Sequence, residues 1–222
     1  MSEPRWHLAI LIPARDEERL LSRCLRSVET ARQCLPAAVT SDVIVVSDSS
    51  RDKTAEIARK LLRRSGIVVC TNAGRVGAAP KYCWLANTDA DCEVPTNWLR
   101  DQLSIAAQGF AAVAGTVLVD SFAEHDARVE ELFRQTYLTH ADGTHPHVHG
   151  ANLGVRADAY LRVGGWLNLA TAEDHDLWNR LHRSGHQHLS DARLQVTTSG
   201  RRLGRAPSWF ADALVTLSEA AA

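Results

Sequence analysis

Val43-Ile44-Val45-Val46-Ser47-Asp48-Ser49-Ser50-Arg51-Asp52-Lys53-Thr54 joins an apolar run to a polar turn and a helix start. Its four apolar residues run without alternation, as expected of a strand buried on both faces of a parallel sheet. A polar turn follows, and then Ala55, Ile57, Ala58 and Leu61 predict a helix. Working backward, residues 7–12 form a strand-like run closed by Pro13. Asp16-Glu17-Glu18 then supply acidic helix-start signals, and Leu20, Leu21, Cys24, Leu25 and Val28 recur at helical spacing. Working forward, residues 67–70 read as a third strand. Strand and helix patterns in alternation predict an α/β fold with a mostly parallel central sheet and flanking helices.

Beyond this core, residues 72–77 read as a loop and Trp84-Leu85-Ala86-Asn87 as a strand. Pro95 opens a helix through Trp98, Leu99 and Leu103 that Gly109 ends. A strand over 111–119, a helix over 124–140 and a Gly- and Pro-containing loop over 142–150 come next. Short helices over 158–163 and 173–183, a stop at Gly185 and a strand near 194–197 complete the pattern.

A length of 222 residues suits one sizeable domain, residues 1–222. Hydrophobic residues at 45% and charged residues at 23% fit a soluble globular protein, and no apolar run approaches the roughly 20 residues of a membrane helix. The segment Met1-Ser2-Glu3-Pro4-Arg5 lacks the pattern of a signal peptide, so a cytoplasmic location is expected. A formal net charge of −1 gives no general pull toward nucleic acid. Five cysteines without CxxC spacing argue against a disulfide framework or a thiolate zinc site, and read as buried small hydrophobes.

Three acidic groups carry candidate chemistry. Asp89 and Asp91 close an apolar strand, and a period of two points both carboxylates to one side. Such a pair can hold Mg²⁺ or Mn²⁺, whose hard oxygen preference matches it; it also fits two solvated turn aspartates. Asp48 lies past the carboxyl end of a buried strand, where ligands bind in open α/β sheets, while capping of the next helix explains Asp48 to Asp52 equally well. In Glu173-Asp174-His175-Asp176, Asp174 precedes Leu177, Trp178 and Leu181 by three, four and seven positions, so it shares their inward face. Asp176 stands four before Arg180 and is expected to form an exposed ion pair. An inward carboxylate in a pocket is what a general base requires.

With these residues in place, the chain resembles the inverting GT-A glycosyltransferases of family 2. The matching segments are Leu11-Ile12-Pro13-Ala14-Arg15-Asp16-Glu17-Glu18, the stretch from Val45 to Thr54, Thr88-Asp89-Ala90-Asp91, Gly150-Ala151-Asn152-Leu153, Val163-Gly164-Gly165, Glu173-Asp174 and Thr198-Ser199-Gly200-Arg201-Arg202. The resemblance implies a nucleoside-diphosphate sugar donor, an unknown acceptor and a Mn²⁺ or Mg²⁺ cofactor held by Asp89 and Asp91. It makes Asp174, with Glu173 beside it, the catalytic base cluster, and places Pro13, Arg15, Glu17, Asp48, Arg75 and Asp89 at the donor. It also divides the domain into a nucleotide-sugar half over about 7–120, an acceptor and catalytic half over about 121–205, and a tail over 206–222.

Residues 72–83 are shorter than the helical crossover that relatives usually carry. The alternative of a catalytically weak nucleotide-sugar binding protein therefore stays open. On the acceptor side His149, Asn152 and Trp166 are the candidates. His145, His147 and His149 alternate onto one face and fit either a metal site or a surface loop with His140. Arg201, Arg202 and Arg205 fit either diphosphate contact or a solvated tail.

Overall fold

The computed structural model describes residues 5–62, 66–71, 82–169, 171–203 and 210–221. The strand β1, His7–Ala14, leads to the helix α1, Leu21–Gln33. Strand β2, Thr40–Asp48, helix α2, Thr54–Leu61, and strand β3, Gly66–Thr71, complete the first units. Then come β4, Cys83–Asn87, α3, Trp98–Ala107, and β5, Ala112–Val119. Helix α4, Val129–Thr136, and a short 3₁₀ turn, Gly150–Asn152, precede β6, Leu153–Arg156. The chain ends with α5, Ala157–Arg162, α6, Glu173–Arg183, β7, His188–Thr198, and α7, Phe210–Ala221.

Seven strands form one sheet in the order β3-β2-β1-β4-β6-β5-β7. All pairings are parallel except those of β6, which runs antiparallel to β4 and to β5. From β1 the chain steps to β2 and β3 on one side, whereas β4 lies on the other. The gap beyond the carboxyl ends of β1 and β4 is thus the topological switch point, where α/β sheets bind ligands. Burial follows the apolar patterns: Leu8, Ile10 and Ile12 of β1 and Val43 and Val45 of β2 pack against Leu21, Cys24, Leu25, Val28 and Ala31 of α1. A second cluster joins Leu153 and Val155 of β6 to Leu177 and Leu181 of α6.

Several expectations are corrected. α1 begins at Leu21, so Asp16-Glu17-Glu18 form the approach to it and none of them lies in its first turn. α4 spans Val129–Thr136, shorter than 124–140, because Tyr137 leaves the helix and the His125 ring is tied to the Gly200 carbonyl. β7 extends over His188–Thr198 and carries an irregularity opposite Gly115 and Thr116. β6 went unrecognised in the sequence: four residues buried almost throughout show no alternation. Cys24, Cys83 and Cys92 are buried, but Cys34 is exposed.

Candidate active site

The two βα loops at the switch point are stitched to each other. Thr54 Oγ1 accepts the Glu17 N–H at 2.7 Å, Asp52 Oδ2 accepts the Glu18 N–H at 3.0 Å, and Asp16 Oδ1 accepts the Arg51 N–H at 2.7 Å. Asp52 Oδ1 also accepts the Thr54 N–H, at 2.9 Å, at the start of α2. Asp52 holds loop and helix, while Asp48, whose Oδ1 accepts the Ser49 hydroxyl at 3.1 Å, lines a cavity of about 290 Å³ with Pro13, Arg15, Glu17, Asp89 and Asp91.

At the cavity floor the Asp89 and Asp91 carboxylates and the Cys92 thiol lie within 4.8 Å of one another. Burial pushes the Asp89 carboxyl up to about 8, and the like charges of Asp91, Glu173, Asp174 and Glu17 add to the shift. Burial also raises Asp91, opposed by the Arg201 guanidinium. That guanidinium makes a bidentate contact with the buried Glu17, at 2.8 and 2.6 Å, and reaches Asp91 Oδ2 at 3.0 Å. Two hard carboxylates crowded by further acids fit a divalent cation, which would offset both the burial that raises Asp89 and the like charges that add to it. Sequence reasoning left Arg201 between a ligand contact and a solvated tail; the structure folds it into the site. Its signal was Thr198-Ser199-Gly200, where Gly200 packs so closely on the Ser121 backbone that a Cβ would collide. That close approach fixes the direction of the following chain.

α6 brings Glu173 and Asp174 near enough for their charges to raise Asp89, although neither lines the cavity itself. Leu177 and Leu181 are buried, as the helical phase predicts, and Asp174 Oδ2 accepts the Gly150 N–H at 3.1 Å. Its Oδ1 accepts the His175 N–H at 2.7 Å, so the carboxylate is held between two backbone donors. Glu173 is half-buried and its carboxyl is raised by that burial, with Asp174 adding repulsion. Asp176 pairs with Arg180 at 2.7 Å, but the pair is not exposed: the side chains keep 30% and 17% of their accessible surface. Arg180 also donates to the Val163 and Gly165 carbonyls, latching α6 to the Gly164-Gly165 turn.

Asn152 is fully buried, and the acceptor contact expected of it is corrected. Its Nδ2 donates to Thr116 O at 2.9 Å and Leu194 O at 2.7 Å, while its Oδ1 accepts the Trp98 Nε1–H at 2.9 Å. The amide satisfies the carbonyls freed where β5 and β7 lose register, a structural task that the Gly150-Ala151-Asn152 motif also encodes. Trp166 is partly buried against the α6 cluster, and its backbone N–H donates to the Tyr160 hydroxyl at 3.0 Å. His145, His147 and His149 do share a face, their rings 5.8 and 5.9 Å apart. They lie on irregular backbone, each ring is tied by a hydrogen bond, and among the described residues they do not form a group with metal-holding geometry. His145 is buried with Nε2 on Ala114 O, His147 Nε2 lies on Leu138 O, and His149 Nε2 meets the Tyr137 hydroxyl. His140 stands apart, bonded to Thr144. Arg75, Arg205 and the shortened crossover over 72–81 lie outside the described residues.

A doubly flanked, mostly parallel sheet with paired aspartates after its fourth strand defines the class of GT-A glycosyltransferase folds. The chain belongs to glycosyl transferase family 2, whose model matches residues 9–164. Among solved structures it is similar to residues 1–349 of S. aureus TarS in complex with UDP-GlcNAc, at 14% identity and a TM-score of 0.65, covering 92% of this chain and 61% of that one. It is also similar to the mannosyltransferase PcManGT from Pyrobaculum calidifontis in complex with GDP-Man and Mn²⁺, at 17% identity and a TM-score of 0.66, covering 97% and 70%. The chain thus spans about three-fifths of the length of the TarS fragment. No curated protein sequence matches it. Among the described residues no helix is long and apolar enough to cross a membrane.

Proposed function

We propose that this chain transfers a sugar from a nucleoside-diphosphate sugar to a hydroxyl acceptor, with metal assistance and inversion at the anomeric carbon. The observation that carries the reading is the convergence of Asp48, Glu17, Asp89, Asp91 and Arg201 on one cavity at the switch point. In this reading Asp48 accepts hydrogen bonds from the nucleoside, and Pro13, Arg15 and Glu17 form the neighbouring wall of the donor pocket. Arg75 belongs to the same donor set by family motif. Asp89 and Asp91 hold Mn²⁺ or Mg²⁺, which supplies charge neutralisation for the departing diphosphate. Arg201 is positioned to exchange its carboxylate partners for the diphosphate, since a guanidinium fork suits either oxyanion.

Asp174 takes the proton of the attacking hydroxyl. Backbone donors at both oxygens orient the carboxylate and leave lone pairs for that proton. Glu173, raised by burial, sits beside it as part of the same acidic wall. Trp166 offers an aromatic face to the acceptor. The test is a screen of UDP-, GDP- and dTDP-sugars for binding and turnover with Mn²⁺ and Mg²⁺, with the anomeric configuration of the product read by NMR. Metal-dependent binding of one donor and an inverted product support the reading. A donor set that binds equally well without metal, or a retained product, contradicts it.

A further inference from the structure

We propose that His149 is the acceptor-side hydrogen-bond donor of this site, that Tyr137 fixes it in the Nδ1–H tautomer, and that the acceptor it takes is an uncharged, hydroxyl-bearing molecule of the sugar class. This rests on the glycosyl-transfer reading above. The Tyr137 hydroxyl lies 3.0 Å from the Val117 amide nitrogen and 2.8 Å from His149 Nε2. An amide N–H only donates, so the hydroxyl accepts there. Among the described residues its proton has no acceptor other than His149 Nε2, so the geometry points to donation from the phenol to that nitrogen. A neutral imidazole that accepts at Nε2 carries its proton on Nδ1. That Nδ1–H has no hydrogen-bond partner among the described residues.

The surroundings keep both groups in these states. Burial, with repulsion from His147, His145 and His175, holds the His149 ring down to about 3, and burial pushes the Tyr137 phenol up to about 12. His147 stacks on Tyr137 at 3.9 Å and 5°, so the phenol cannot swing away without breaking the stack. The location suits an acceptor. Phe210 meets the His149 ring edge-on at 6.0 Å and itself lines the donor cavity. The next residue, Gly150, donates to Asp174, so the imidazole and the base are joined by one peptide.

The chemistry of the wall selects the ligand. Tyr137, His147, His149 and Phe210 present aromatic faces and a neutral donor, and burial pulls His145 and His147 below the ordinary imidazole range as well. A phosphate or carboxylate here would meet the Asp174 and Glu173 carboxylates, and none of Tyr137, His147, His149 and Phe210 carries a positive charge to balance it. A sugar offers apolar C–H faces to the rings and a hydroxyl oxygen to the Nδ1–H.

Two-dimensional ¹H–¹⁵N NMR of the full chain labelled with ¹⁵N-histidine tests the proposal, with His149 assigned from its variants. At about pH 6 the His149 ring should show the neutral Nδ1–H signature. An Nε2–H or protonated ring overturns the tautomer. Tyr137→Phe should shift the ring toward Nε2–H and leave binding of UDP or GDP with Mg²⁺ unchanged; an unaltered tautomer removes Tyr137 as the positioning residue. Methyl glycosides, added with Mg²⁺ and the nucleoside diphosphate, should move the His149 Nδ1 resonance, and sugar phosphates should not. His149→Asn places an amide N–H near the Nδ1 position and should keep glycoside affinity within about threefold, whereas His149→Gln, which mimics Nε2, should lose about tenfold. No response to any methyl glycoside, a response to sugar phosphates in their place, or equal losses in the two variants overturns the acceptor assignment. Failure of metal-dependent nucleoside diphosphate binding instead counts against the glycosyl-transfer reading, and is read separately from the tautomer.

Discussion

Replacing Arg201 with methionine removes the cation that links Glu17 to Asp91, and two consequences of opposite sign follow. Arg201 meets Asp91 Oδ2 at 3.0 Å, while Asp91 Oδ1 accepts the Cys92 thiol at 3.8 Å, so a metal must displace existing partners to use both oxygens. A hydrogen bond to a charged group contributes about 1.5–3 kcal/mol, and the Arg201 side chain keeps 20% of its surface, which argues for the lower end. Removing about 1.5 kcal/mol of competition should tighten binding of Mn²⁺ alone about tenfold. Stability should fall, because the buried Glu17 loses its bidentate partner, by about 2–3 kcal/mol. Calorimetric titration with MnCl₂ and thermal melts of Arg201→Met measure both effects. Adding Glu17→Gln should recover part of the stability. Unchanged or weaker Mn²⁺ binding by a well-folded Arg201→Met protein would refute the reasoning.

Asp174→Asn should cut transfer roughly 100-fold or more at nearly unchanged donor affinity, since general-base contributions commonly run from about 10² to 10⁴. Asp176→Asn should cost about 1 kcal/mol of stability with activity kept, because Arg180 retains its contacts to the Val163 and Gly165 carbonyls. Paired kinetics and melts separate the two variants, and loss of transfer in the Asp176 variant alone would move the base. Asn152→Ala should destabilise by at least about 3 kcal/mol, as it strands the Trp98 indole N–H and the Thr116 and Leu194 carbonyls; a melt within about 1 kcal/mol of the parent denies the brace. Asp89 has a folded pKa of about 8 against 3.8, so the neutral carboxyl favours the folded protein below about 3.8, and that contribution is lost as pH rises toward 8. In metal-free buffer Asp89→Asn should therefore stabilise the protein more at about pH 8.5 than at about pH 5. The Mn²⁺-induced shift of the parent should grow over the same window, since binding displaces a proton. A stabilisation that does not change with pH contradicts the shift.

The first half of the chain was readable because its signals are local. Unbroken apolar runs mark the strands, although β2 buries Val43 and Val45 fully and Ile44 and Val46 only in part, and Leu21, Cys24, Leu25 and Val28 mark one helical face. Asp89, Asp91 and Asp48 could be placed at strand ends for the same reason. β6 and Asn152 were harder, because their meaning depends on β5, β7 and α3, which lie far away in sequence. Asn152 carries a motif shared with the family, yet what it binds here is the carbonyls of an irregular strand pair. Arg201 was undecided for a related reason: its partner Glu17 lies 184 positions earlier, and only the folded chain brings the two together. The histidine alternation was read correctly as one face. What the pattern could not reveal was that Tyr137 stacks on His147 and His149.

In the glycosyl-transfer reading Asp91 acts through a metal on the donor. Calorimetry of UDP- and GDP-sugars with the parent protein and Asp91→Ala, each with and without Mn²⁺, tests it most directly. Asp91→Ala should abolish the Mn²⁺-dependent gain in donor affinity, while metal-free nucleotide binding through the Asp48 side of the cavity should stay close to the parent value. Equal losses with and without Mn²⁺, or a gain that survives the substitution, would contradict it.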